Sequence, residues 1–178
     1  MKKLHILFAA ILVGGFVGGG VSAAGTAAAE KAQAWVNPFP KAESPGARTD
    51  TPQELANKRV VLEFYDKALN AKDFDAASRF LGPEYIQHNP SAADGPEGLK
   101  AFIQFLKDQY PSSHSEVKQV LTDGDYVILH VHSVRTPGTV GDVVGDIFRL
   151  ENGKVVEHWD AVQQIPTKPN PKNHNRVF

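Results

Sequence analysis

DIFRLENGKVVEHWDAVQ, residues 146–163, is the stretch on which the fold turns. Two runs of alternating apolar and polar residues flank Glu151-Asn152-Gly153, the pattern of a β-hairpin. Side chains alternate faces along a strand, so His158 and Asp160 share one face with Val156 and Val162. The hairpin can close in two registers. A two-residue Asn152-Gly153 loop requires positive φ at both residues, pairs Glu151 with Lys154 and sets Asp146 beside Trp159. A three-residue loop, Glu151-Asn152-Gly153, requires positive φ only at Gly153. It pairs Leu150 with Lys154, Phe148 with Val156, Asp146 with His158 and Val144 with Asp160. This bulged register is the expected one. It gathers Asp146, His158 and Asp160 among Val144, Phe148, Val156 and Val162. Val143, Ile147, Arg149, Val155, Glu157, Trp159 and Ala161 then form the outer face.

Upstream, EVKQVLT (116–122) and YVILHVHSV (126–134) alternate in the same way around Asp123-Gly124-Asp125, and DVVGDIFRL (142–150) follows. Before residue 111 the period is helical instead. Thr51-Pro52-Gln53-Glu54 reads as a capping box with Pro at the first helical position. Leu55, Leu62, Tyr65 and Leu69 form a stripe behind it, widened by Val61, Phe64 and Ala68. FDAASRFL (74–81) fits a short helix ended by Gly82-Pro83, EYIQH (84–88) a short strand, and residues 99–109 a third helix facing inward through Leu99, Phe102, Ile103 and Leu106. Helices followed by consecutive antiparallel strands predict an α+β domain. Several hairpins in a row, with three helices on one face, curl into a cone around an interior pocket.

The chain has 178 residues, a formal charge of −1 and no cysteine. Disulfides, a thiol nucleophile and thiolate metal sites are therefore excluded. The lack of a clustered basic face argues against nucleic-acid binding. Residues 1–23 carry Lys2 and Lys3, an apolar run and small-x-small sites, as a secretory signal does. The apolar run is shorter than the roughly 20 residues of a membrane anchor. Cleavage after Ala23 is expected, with Ala29 and Ala34 as alternatives, and the mature protein is periplasmic or extracellular. Residues 24–51 read as a Pro/Ala-rich flexible linker, 52–166 as one domain with one core, and 167–178 as a tail.

Three ionisable groups on an apolar face are costly unless paired or used. Desolvation raises the pKa of a carboxylate among aliphatic side chains, as a general acid or base working near neutrality needs. Asp146 opposite His158 would orient or protonate the ring, and Asp160 would lie ~7 Å along the strand. A structural polar cluster in the core is the competing account. His88, at the end of EYIQH, is either a ligand contact or a loop cap. His130 and His132 alternate with Ile128 and Val134, so one or both would line the pocket. Tyr65 would cap it, and Phe148 shares its face. His88, His130, His132 and His158 could in principle hold zinc, but no local ligand motif supports a metal, and none is expected.

The pieces YIQHNP (85–90), DIFRLENGK (146–154) and VVEHWDAVQ (155–163) together resemble the SnoaL-like polyketide cyclases, within the superfamily named after nuclear transport factor 2. The resemblance covers roughly residues 57–166. It implies a conical α+β fold whose curved, mostly antiparallel sheet is wrapped by three N-terminal helices, often dimeric through the outer sheet face. It also implies an intramolecular aldol condensation without metal or cofactor, with an acidic residue as acid–base catalyst. By motif that residue is Asp160. Its partner position falls on Asp146, where the cyclases carry a histidine. The expected function is acid–base chemistry, of aldol, cyclase or isomerase type, on a small carbonyl-containing molecule. A non-catalytic domain that binds a small apolar ligand is the alternative. A homodimer is expected, because an outer face bearing Trp159 among aliphatic residues needs cover.

Overall fold

The computed structural model describes residues 49–168, 172, 173, 175, 177 and 178. The expected signal at 1–23, all three cleavage sites and nearly all of the 24–51 linker lie outside the described residues. Three helices precede most of the sheet: α1 (Pro52–Tyr65), continued by a π-helical turn at Asp66–Asn70, α2 (Phe74–Ser78) and α3 (Gly95–Gln109). The strands are β1 (Leu81–Gln87), β2 (His114–Asp123), β3 (Tyr126–Val134), β4 (Asp142–Glu151) and β5 (Lys154–Gln164). They form one curved sheet in the order β1-β5-β4-β3-β2. The pair β1–β5 is parallel and the others are antiparallel. The α+β architecture expected from the change of period is present. No helix among the described residues is long and apolar enough to cross a membrane.

The capping box forms as expected. Thr51 Oγ1 accepts the Glu54 N–H at 3.2 Å, and Glu54 Oε2 accepts the Thr51 N–H at 2.8 Å. The inward stripe of α1 differs at its start, because Leu55 is 51% exposed while Glu54 and Asn57 are buried. The cause is a polar seat. Glu54 Oε1 accepts the Gly124 N–H at 2.9 Å, and Asn57 Nδ2 donates to the Gly124 carbonyl at 3.3 Å. The first turn of α1 therefore grips the tip of the β2–β3 hairpin through hydrogen bonds, and Leu55 turns away. Further along, Val61, Phe64, Tyr65 and Ala68 enter one core with Leu99, Ile103, Val127, Leu129, Val131, Phe148, Leu150 and Val155.

The expected register of the β4–β5 hairpin is corrected by the structure. Asn152 and Gly153 both take positive φ, 50° and 71°, and Glu151 pairs with Lys154 across a two-residue turn. Such a turn has the twist that flanking strands prefer. The extra residue lies in β5 instead. Leu150 pairs with Val155 and Arg149 with Glu157, so Val156 is the inserted residue of a bulge. Both valines are buried, which moves Val155 from its expected outer position into the core. Beyond the bulge the pairs are Phe148–His158, Asp146–Asp160 and Val144–Val162. The register is thus offset from the expected one by two residues. An even offset keeps every side chain beyond the bulge on its expected face.

Gly82 and Pro83 do not end a helix here. Both lie inside β1, on the edge of the sheet, where a missing N–H is tolerated. A Cβ on Gly82 would fall 2.6 Å from Val156 Cγ1, so glycine lets this strand pass the bulge.

Candidate active site

The inner face of β4 and β5 carries Asp146, His158 and Asp160, held by residues from α1, β1 and the loop after β1. His158 is 8% exposed and Asp146 4%. His158 Nε2 lies 3.1 Å from Asp146 Oδ1. On its other oxygen Asp146 accepts the Tyr65 hydroxyl at 3.0 Å. Burial, then the charge of Asp146, pushes the Tyr65 hydroxyl well above its ordinary pKa, so it remains a donor. The ring of Phe148 stacks on His158 with centroids 4.8 Å apart and meets Tyr65 edge-on. Phe148 is therefore a buried wall behind the imidazole.

Asp160 stands opposite Asp146 and is half-buried, with Val144 beside it and Val162 beyond, 48% exposed. Two facing carboxylates repel unless donors intervene. Asn89 supplies one: its Nδ2 donates to Asp160 Oδ1 at 2.8 Å and to Oδ2 at 2.7 Å. Gln87 Oε1 approaches His158 Nδ1 at 2.9 Å. Single ligand atoms of Asp146, His158 and Asp160 all lie within 4.8 Å of one another. A divalent cation could bridge such a set, but its oxygens already accept from Tyr65, Asn89 and the ring. That arrangement suits a cluster that holds and passes a proton.

Sequence reasoning missed Gln87 and Asn89, although a signal was available. Period two along β1 sends Tyr85 and Gln87 inward and Ile86 and His88 outward. His88, expected at the pocket, accordingly lies on the outer face. It stacks flat on Trp159, centroids 4.5 Å apart, and its Nε2 lies 2.8 Å from Glu157 Oε1. That bond, and then Arg149, lowers the pKa of Glu157. His130 and His132 also leave the pocket. Val127, Leu129 and Val131 occupy the inner face of β3, and His130 and His132, which alternate with them, point outward, each about 5 Å from the ring of Phe178 (5.1 and 5.0 Å). The apolar half of an alternating strand takes the core, so the histidines could not.

A helix-covered curved sheet with a carboxylate–imidazole cluster on its inner face defines a conical α+β domain. The SnoaL-like domain matches residues 61–158, more than half of the 178-residue chain, and the protein belongs to that family. Among solved structures, a protein from Jannaschia sp. CCS1, provisionally assigned as a SnoaL-like polyketide cyclase, is similar at 23% identity with a TM-score of 0.53, covering 65% of this chain and 90% of that one. AclR from Streptomyces galilaeus, provisionally assigned as a hydroxylase, is 21% identical over 61% of this chain and 79% of its own, with a TM-score of 0.52. IdmH from Streptomyces antibioticus, provisionally assigned as a polyketide cyclase, is 19% identical over 60% and 91%, with a TM-score of 0.50. At these identities the likeness is one of fold. No curated protein matches the chain.

Proposed function

We propose that this protein is an acid–base enzyme acting on a small, mostly apolar molecule that contains a carbonyl group. The observation that carries the reading is a half-buried Asp160 carboxylate facing a buried Asp146–His158 pair on the inner face of the sheet. Asp160 takes a proton from the carbon beside the carbonyl, the C–H electron pair moves into the new C=C bond, and the carbonyl oxygen gains the charge. The enolate carbon then attacks a second carbonyl, forming the C–C bond of an aldol; where the substrate carries a C=C bond next to that carbon, the extended enolate is instead reprotonated at the far end of that bond, which shifts the double bond, as in an isomerase. Asp160 returns the proton in both cases. Cyclase assignments among proteins of this fold support the first outcome.

The test is solvent exchange. Purified protein in D₂O, offered a panel of apolar 1,3-diketones and β-keto esters, should place deuterium at the activated carbon faster than buffer does, as read by mass spectrometry. Binding of a panel member without any exchange would instead identify a carrier of small apolar ligands.

The reading includes export and a homodimer. Support for the dimer comes from the outer face, where Tyr126, Ile128 and Ile147 remain exposed around the His88–Trp159 stack. Light scattering at micromolar concentration should give twice the chain mass; the mass of one chain would remove the dimer.

A further inference from the structure

The loop after β1 does more than carry Asn89. Gln87 has the two ends of its side-chain amide distinguished by their partners. Its backbone N–H donates to Asp94 Oδ1 at 2.8 Å, and its Oε1 accepts the Asn89 backbone N–H at 2.9 Å. Its Nε2 faces the Tyr85 hydroxyl at 3.4 Å. An exchanged amide would set its NH₂ against the Asn89 N–H, donor against donor, so the orientation of Gln87 is fixed by the network. Asn89 is fixed in turn. Its Oδ1 accepts the Ser91 N–H at 2.7 Å, which leaves Nδ2 to Asp160, and Pro90 restricts its backbone to extended conformations.

We infer that Gln87 is a positioning residue that sets the tautomer of His158, making Nδ1 the fixed donor and Nε2 the nitrogen that exchanges its proton. Gln87 Oε1 is an acceptor held 2.9 Å from Nδ1, so Nδ1 must carry a hydrogen whenever this bond exists. The variable proton then lies between Nε2 and Asp146 Oδ1, inside the cluster that also holds Asp160. A histidine in the other tautomer would aim the Nδ1 lone pair at the Gln87 oxygen, acceptor against acceptor. The hydrogen bond that one ring nitrogen makes commonly fixes the state of the other in this way. The catalytic value of the arrangement rests on the proposed acid–base function. The tautomer itself does not.

The experiment is ¹⁵N imidazole spectroscopy of the substrate-free, full-length protein. Wild type should show His158 Nδ1 protonated at every pH at which the chain is folded, with any unprotonated signal confined to Nε2. Gln87→Leu should lose this preference and populate the Nε2–H tautomer, whereas Gln87→Glu, which keeps an acceptor in place, should restore it. A wild-type spectrum with an unprotonated Nδ1 overturns the inference, even if Gln87→Leu fails to fold. So does a folded Gln87→Leu protein whose His158 signals match wild type. Correct signals in a protein without solvent exchange would remove the proposed function and leave this inference standing.

Discussion

Asp160→Asn lowers turnover by about 10²–10⁴-fold, the usual worth of a positioned proton-transfer group, and leaves folding intact. The amide keeps the volume of the side chain and one acceptor oxygen for Asn89 Nδ2. Its NH₂ can face Asp146 directly across the strands, replacing the opposition of two carboxylates with an attraction. The melting temperature should therefore hold or rise while the rate falls. Asp146→Asn should reduce the rate less. It can still accept from Tyr65 and contact His158, so it alters the protonation of the ring without removing the group that meets substrate. Exchange rates and melting curves for the two variants, measured side by side, check this. An Asp160→Asn protein that turns over at the wild-type rate would move the assignment to Asp146, whereas loss of stability without selective loss of turnover would make the cluster structural.

Phe148→Ala should destabilise the domain by about 3–5 kcal/mol, the range for removing a buried aromatic ring. Phe148 is 2% exposed and meets Phe64 edge-on with centroids 5.9 Å apart. It also meets Tyr65 and the flat side of His158, so the cavity opens between the core and the imidazole. Urea unfolding should show the loss as a lower midpoint with an unchanged slope. Phe148→Leu should recover most of the stability by refilling the space. A Phe148→Ala protein as stable as wild type would mean that the ring is not a core element.

The inner face of the last hairpin was legible because period two survives an error in the turn. Asp146, His158 and Asp160 share a face in either even register, so the cluster was accessible without the pairing that builds it. The pairing itself was not, because it depends on a bulge at Val156 that two consecutive buried valines barely distinguish from ordinary strand. Histidines were overvalued as pocket residues. On β3 the apolar set Val127, Leu129 and Val131 was the better guide to the core, and it sends His130 and His132 outward. The polar seat of Glu54 and Asn57 on Gly124 joins segments some 70 residues apart, which periodicity within one helix cannot reveal. Period two along β1 turns Gln87 inward, but its contact with His158, like that of Asn89 with Asp160, joins residues 71 apart, and spacing does not report such partners.

The bulge at Val156 also governs how the gene for this domain can change length. Loss of the codon for Val156 or Glu157 would remove the bulge and leave a continuous ladder in which Phe148 still pairs with His158, so His158 and Asp160 would keep facing inward. Loss of a second residue there would pair Arg149 with His158 and turn His158 and Asp160 outward, with Trp159 inward. The Asn152-Gly153 turn, whose positive φ values favour these two residue types, lies on the far side of the bulge from the cluster. The Val156 bulge is thus one residue of slack in the strand, set between the turn and the Asp146–His158–Asp160 cluster.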